Sequence, residues 1–231
     1  KLKQIMIKCI TFDLDDTLWE IEPVISKAEN QFYEWVKDNY PVVAENFNIE
    51  KLRKLLKQTS LENPLIKHDL TKIRIIAYTK LRDLYNLPEN MPIEAFQYFM
   101  QYRNSVELFD GVEEILGVLK KQYKLGTITN GNASLEKIGI KQYFDFEIKA
   151  SEAGYMKPSP EIFKSALYEA KCESFELLHV GDSYEKDIIG AMSVNMNYIW
   201  LNHNNEKKSD VKVEQTIKSF SELPQALKKL R

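Results

Sequence analysis

The sequence predicts an α/β chain: a parallel sheet whose first strand is followed by an all-helical insertion. Three observations carry this expectation. All eight glycines lie at or beyond Gly111. Residues 18–110 have none and are punctuated by Pro23, Pro41, Pro64, Pro88 and Pro92. Short apolar runs alternate with helical patterns only outside that stretch.

The elements follow in order. The run Ile5-Met6-Ile7-Lys8-Cys9-Ile10-Thr11-Phe12 is short, apolar and rich in β-branched residues, as a strand buried on both faces must be. Apolar residues then recur at helical spacing: Val24, Ala28, Phe32 and Trp35-Val36; Leu52 and Leu55-Leu56; Ile73, Ile76-Ala77, Leu81 and Leu84; Ala95, Phe99 and Tyr102. Strand-like runs follow at Leu125–Thr129, Phe146–Ala150, Leu177–Val180 and Tyr198–Leu201, separated by helical patterns. Such alternation implies a parallel sheet with right-handed crossovers, which the first strand must join. The expected division is a core of residues 1–18 and 108–231, interrupted by a helical domain of residues 19–107 that closes over the sheet's C-terminal edge.

Composition narrows the function. Hydrophobic residues at 44% and charged residues at 29% describe a soluble globular protein, and no apolar run reaches the roughly 20 residues of a membrane span. A net charge of −2 gives no broad attraction to nucleic acid. The two cysteines, Cys9 in the first strand and Cys172 in a late helical segment, have no metal-ligand spacing, and no signal-peptide pattern opens the chain. Reduced thiols and a cytoplasmic location are expected.

Four clusters fall where open α/β sheets place ligands, at or between strand ends. In Asp13-Leu14-Asp15-Asp16-Thr17, Asp13 and Asp15 would project to one side of an extended chain, and like charges that close repel. Mg²⁺, which takes one or two carboxylates plus water and phosphate oxygens, would resolve the conflict. An acidic strand end leading into a helix cap is the competing reading. Thr129-Asn130-Gly131, before a helix expected from Ala133, ends a strand with a hydroxyl and backbone N–H groups that can hold an oxyanion, or forms an ordinary turn. Lys157 precedes Pro158 in a loop, with Ser159-Pro160 reading as N-cap and first residue of a helix; it can serve as a point charge on phosphate or be merely solvated. In Gly181-Asp182-Ser183-Tyr184-Glu185-Lys186-Asp187, two carboxylates five residues apart can converge from a strand end and a helix's first turn, although a carboxylate near a helix N-terminus is favourable by itself.

In order, these clusters resemble the four motifs of the haloacid-dehalogenase superfamily, over essentially the whole chain. The resemblance implies a Rossmann-like core with a mobile helical cap. Dehalogenating members lack the second aspartate of the first motif, so Asp15 implies phosphate chemistry with Mg²⁺ as cofactor. By resemblance, Asp13 is the nucleophile, Asp15 the general acid and base, and Thr129 and the Asn130 N–H hold the phosphoryl group. Lys157 offsets its charge. Asp13, the Asp15 carbonyl and Asp182 bind the metal, and Asp187 orients a water ligand or Lys157. The segments Phe12–Trp19, His68–Arg74 and Ile128–Ala133 are also similar to bacterial phosphatases acting on flavin mononucleotide and on the phosphorylated ribitylaminouracil of riboflavin synthesis. His68 and Arg74 are the substrate-contact candidates this implies; an N-capped solvated helix start is the other reading of that segment. The expected activity is hydrolysis of a small phosphorylated metabolite. Alternatives are a phosphomutase, a phosphatase for other nucleotide or sugar phosphates, and a non-catalytic binding protein of the same fold. Neither the physiological substrate nor the oligomeric state is legible.

Overall fold

The strand predicted at the N-terminus forms over β1 (Cys9–Phe12), every residue of it buried. The computed structural model describes residues 6–209, 211 and 215–230, so Ile5 of the predicted run lies outside the described residues. Further strands are β2 (Lys124–Thr129), β3 (Phe146–Lys149), β4 (Leu177–Gly181), β5 (Asn197–Leu201) and β6 (Thr216–Ile217). Among the described residues they form one six-stranded sheet of order β3-β2-β1-β4-β5-β6 with every pair parallel. The register sets Phe12 beside Thr127 on one side and Val180 on the other. The strand order reverses at β1, so the crevice beyond Phe12 is a topological switch point, where such sheets bind ligands.

The chain divides into two compact units. The helical unit is Ile21–Val106 together with Asn132–Ile138, and the sheet unit holds the rest. Clustering residues 132–138 with the helices differs from the contiguous 19–107 expected. Asn132 Nδ2 donates to Thr71 Oγ1 at 3.3 Å, and Asn104 Oδ1 accepts from the Ser134 N–H at 2.7 Å.

The helical unit comprises α1 (Ile21–Asn39), α2 (Pro41–Ala44), α3 (Ile49–Glu62), α4 (Leu70–Tyr85) and α5 (Met91–Arg103), with the short α7 (Leu135–Ile138). Val24, Ala28, Phe32 and Val36 form the buried stripe of α1, as their spacing requires. On α4 the stripe is Ile73, Ala77, Tyr78 and Leu81; Leu84, expected on it, is 71% exposed. Tyr78 takes an inner position, stacked on Phe32 at 4.7 Å between ring centroids. Asn48 and Asp69 accept from backbone N–H groups three residues on, capping α3 and α4.

In the sheet unit α6 (Val112–Leu119), α8 (Ala150–Ala153), α9 (Pro160–Ala170), α10 (Gly190–Ser193) and α11 (Leu223–Lys229) accompany the strands. Ile128, Phe146, Ile162, Phe163, Ala166, Ile188 and Trp200 share one buried cluster. Three local expectations need correction. Cys172 lies beyond the end of α9, because Lys171 adopts a left-handed C-cap. The helix expected from Ala133 starts at Leu135. The segment after Asp182 opens with a π-helical turn, Tyr184–Ile189, in which the Ile188 N–H reaches the Ser183 carbonyl at 3.4 Å. No described helix is long and apolar enough to cross a membrane.

Candidate active site

Asp13 is the first residue beyond β1, and its N–H donates to the Val180 carbonyl of β4 at 2.9 Å, which extends the parallel ladder by one bond. The chain then turns: the Thr17 and Leu18 N–H groups both reach the Leu14 carbonyl, and Asp16 has φ 63°. This turn overrides the extended geometry expected for Asp13 and Asp15. The carboxylate of Asp13 accepts from Lys157 Nζ at 2.5 Å, whereas Asp15 Oδ1 accepts from the indole Nε1 of Trp19 at 3.0 Å.

Lys157 is not a solvated loop lysine. It is 4% exposed, and its ammonium bridges Asp13 Oδ1 and, at 2.6 Å, Asp187 Oδ1. The Lys157–Pro158 peptide bond is cis. Asn130 holds this loop reciprocally: its Nδ2 donates to the Lys157 carbonyl at 3.0 Å and its Oδ1 accepts the Lys157 N–H at 2.8 Å. Ser159 occupies the N-cap position before Pro160, but its hydroxyl donates to the Glu161 carboxylate. Thr129 is buried at the end of β2, and its Oγ1 accepts from the Gly131 N–H at 2.9 Å. That N–H, expected to face an oxyanion, is therefore engaged locally, while the Thr129 hydroxyl keeps its own proton to donate.

Asp182 and Asp187 converge from the end of β4 and the turn that follows. With Asp13 they form a group whose carboxylate oxygens lie within 4.8 Å of one another. Thr17 Oγ1 donates to Asp182 Oδ1 at 3.3 Å, and Trp200 Nε1 to the Asp182 carbonyl at 2.7 Å. Asp187 Oδ2 accepts the Ser183 N–H at 3.0 Å. Gly181 makes this convergence possible, since a Cβ there would stand 2.3 Å from Asp187 Cγ. Sequence reasoning gave no role to Trp19, Thr17, Thr11 or His179. The signal of Thr11 and His179, polar side chains inside buried strands, is visible only once the register pairs them, and that of Thr17 and Trp19 only once the turn after Asp13 is known.

The electrostatics are those of crowded anions. Burial, opposed by the Lys157 charge, pushes the Asp13 carboxyl well above the usual carboxylate range, and the charges of Asp187 and Asp182 add to the push. Burial and the charges of Asp187 and Asp16 bring Asp182 up to about 6. Asp187 goes the other way: against burial, the Lys157 charge and the His179 hydrogen bond hold it well below the ordinary value. Burial alone would lower Lys157, but Asp13 and Asp187 outweigh it and keep the ammonium charged. Three carboxylates thus face one ammonium. Hard oxygen donors with negative charge left over fit Mg²⁺, and Asp13, Asp182 and Asp187 are the side chains able to hold it.

His68 precedes α4 and is half-buried. The Arg74 guanidinium lies 3.7 Å over the Phe99 ring and donates to the Tyr78 hydroxyl at 3.3 Å, a packing role inside the helical unit.

Comparisons with known proteins agree with this geometry. The chain is 30% identical over 203 residues to the 5-amino-6-(5-phospho-D-ribitylamino)uracil phosphatase YigB of Escherichia coli, covering 86% of this chain and 85% of the relative. It is 31% identical over 209 residues to the glyceraldehyde 3-phosphate phosphatase of Pyrococcus abyssi, covering 86% and 82%. Among solved structures, one described as a 2-haloacid dehalogenase from Pseudomonas syringae superposes with a TM-score of 0.91 at 32% identity, over 98% of this chain and all of that one. The fold is also that of a haloacid-dehalogenase-type phosphatase from Thermococcus onnurineus, at TM-score 0.68, 24% identity and coverage of 96% and 98%. The family described as haloacid dehalogenase-like hydrolase matches residues 7–195, and the chain belongs to that family.

Proposed function

We propose that this hydrolase is a Mg²⁺-dependent, cytoplasmic phosphomonoesterase acting on a small phosphorylated metabolite through an aspartyl-phosphate. The observation that carries the reading is the cluster of Asp13, Asp182 and Asp187 around the single ammonium of Lys157. Buried anions in excess of cations are costly. A divalent ion and an incoming phosphate, which the lysine also attracts, give that cost a purpose. The phosphatase names of the two relatives support the same chemistry, on two different metabolites.

In this reading Asp13 attacks phosphorus while the bond to the leaving oxygen breaks, and Asp15 gives that oxygen its proton. Asp15 then takes a proton from the water that attacks phosphorus, which releases inorganic phosphate and restores the Asp13 carboxylate. The Thr129 hydroxyl and the Asn130 N–H hold phosphoryl oxygens, and Lys157 balances the charge that Asp13 and phosphate bring together. Bound by Asp13, Asp182 and the Asp15 carbonyl, Mg²⁺ would supply charge stabilisation to the transferring group. Asp187 orients Lys157. The helical unit selects the non-phosphate part of the substrate, with His68 and Arg74 as contacts and a flavin mononucleotide or riboflavin-pathway phosphate as the favoured class.

A second reading, hydrolysis of a carbon–halogen bond, is favoured by the Pseudomonas syringae structure's description. One experiment separates the two. Purified enzyme should release inorganic phosphate from p-nitrophenyl phosphate with Mg²⁺ and lose that activity in EDTA. Metal-independent halide release from a 2-haloacid, with no phosphate release, would replace the phosphatase reading by the dehalogenase one.

A further inference from the structure

The buried hydrogen bonds do not stop at Asp187. His179 lies within β4, fully buried, beside Thr11 of β1. Its Nε2 is 3.1 Å from Asp187 Oδ1 and its Nδ1 is 3.0 Å from Thr11 Oγ1. The ring of Phe163 meets the imidazole edge-on at 5.4 Å. We propose that His179 is a positioning residue for the reaction: from inside the sheet it donates Nε2–H to Asp187 and fixes the carboxylate that aims Lys157 at Asp13.

The assignment of the proton follows from chemistry. An ionised carboxylate only accepts, so the nitrogen facing Asp187 must carry hydrogen, and in a neutral ring Nδ1 is then the acceptor and Thr11 its donor. The ring is fully buried, and the one carboxylate beside it is already paired with Lys157, an arrangement that suits a neutral imidazole. Asp187 is then held at Oδ2 by the Ser183 N–H and at Oδ1 by Lys157 and His179. Lys157 cannot serve as the fixed point, because it is the group being aimed. Ser183 belongs to the loop, whereas His179 belongs to a strand paired on both sides, so it ties Asp187 to the rigid sheet. Placement of a reacting group through such an outer hydrogen bond is worth about 10–100-fold in activity. A purely packing histidine would fill the same space without needing a donor at Nε2.

The inference rests on the phosphatase reading, and its test separates the two. Glutamine places its amide nitrogen near the position of Nε2, while asparagine reaches only to that of Nδ1. With p-nitrophenyl phosphate and Mg²⁺, His179→Asn should lower kcat by about 10–100-fold and His179→Gln should recover most of it, at comparable thermal stability. Equal kcat for the two variants would overturn the positioning role. Independently of any substrate, ¹⁵N-histidine spectra should show His179 as the neutral Nε2–H tautomer, its signal identified by loss in His179→Gln from a protein with three histidines. Thr11→Val should leave the Nε2–H form in place, because the Asp187 carboxylate still requires a donor there. An Nδ1–H tautomer in the wild type would overturn the inference even if phosphatase activity is found. Absence of phosphatase activity with the Nε2–H tautomer present would remove the reaction from the proposal, and with it the aiming role.

Discussion

The two units bury different things. In the sheet unit, Asp13, Lys157 and Asp187 are each under one-tenth exposed, so charge has been taken out of water beyond the ends of the adjacent strands β1 and β4 and in the loop before α9. In the helical unit the core is aromatic and aliphatic: Phe32 on Tyr78, Trp35 on Tyr98, Arg74 over Phe99. Two of its buried carboxylates have ordinary structural work. Glu29 receives Arg53 at 2.6 Å, and Asp69 caps α4. Burying charge opposes folding by several kcal/mol per ion, so a buried excess of anions over cations persists where chemistry requires it. Packed rings stabilise the fold by themselves. Substitutions in the sheet unit should therefore separate activity from stability, while those in the helical unit should change activity by degrees.

The largest separation is expected at Asp13. Asp13→Asn removes one of three crowded anions, so activity should fall to background while the melting temperature holds or rises. A variant retaining a tenth of wild-type kcat would sink the nucleophile assignment. Gly181→Ala comes next. A methyl there would stand 2.3 Å from Asp187 Cγ and displace the carboxylate that holds Lys157, so kcat should drop at least tenfold. The control is Gly117→Ala on α6, where the nearest atom would be 3.7 Å away and helix propensity improves. Similar kinetics for both alanine variants would mean that the approach of Asp187 to β4 has no role.

A third expectation concerns pH and metal. The folded-state pKa of Asp182 is raised to about 6, so in metal-free protein its protonated form is the stabilising one. That contribution is complete below the unfolded value and is lost as pH rises through about 6; Asp13 acts in the same direction, while Asp187 is already ionised. Mg²⁺ must displace the proton. Its stabilisation, read as a shift in melting temperature, should be larger at about pH 7.5 than at about pH 5. Equal shifts would remove Asp182 from the metal site. The smallest effect belongs to the helical unit. His68→Ala or Arg74→Ala should change the ratio of kcat/KM for flavin mononucleotide to that for a small sugar phosphate, with little change for p-nitrophenyl phosphate. A uniform loss on all three would assign Arg74 to its packing on Phe99 alone.

Much of the sheet unit was legible because buried parallel strands leave short apolar runs and because chemistry sits at their ends. All five predicted strands form, within a residue or two at their ends apart from the first, which starts at Cys9. The two-residue β6 was too short to leave a pattern. Helical spacing located the buried stripes of α1 and α4 but exchanged Leu84 for Tyr78, since size and stacking, more than hydropathy, decide which residue fills a gap. The clusters around Asp13, Lys157 and Asp182 were readable as residue types at or between strand ends. Their internal wiring was not. Asn130 on the Lys157 backbone, Trp19 on Asp15 and His179 under Asp187 all depend on register and on turns. The turn after Asp13 also undid the expectation that Asp13 and Asp15 share one side of an extended chain.

The central claim is that Asp13 becomes covalently phosphorylated during turnover. Enzyme mixed with p-nitrophenyl phosphate and Mg²⁺, acid-quenched within the first turnover and reduced with borohydride, should yield a peptide in which residue 13 alone has become homoserine, the product of an acyl-phosphate. The same treatment of Asp13→Asn should leave that peptide unchanged. Turnover with no modified peptide, or modification at a different carboxylate, would contradict the account.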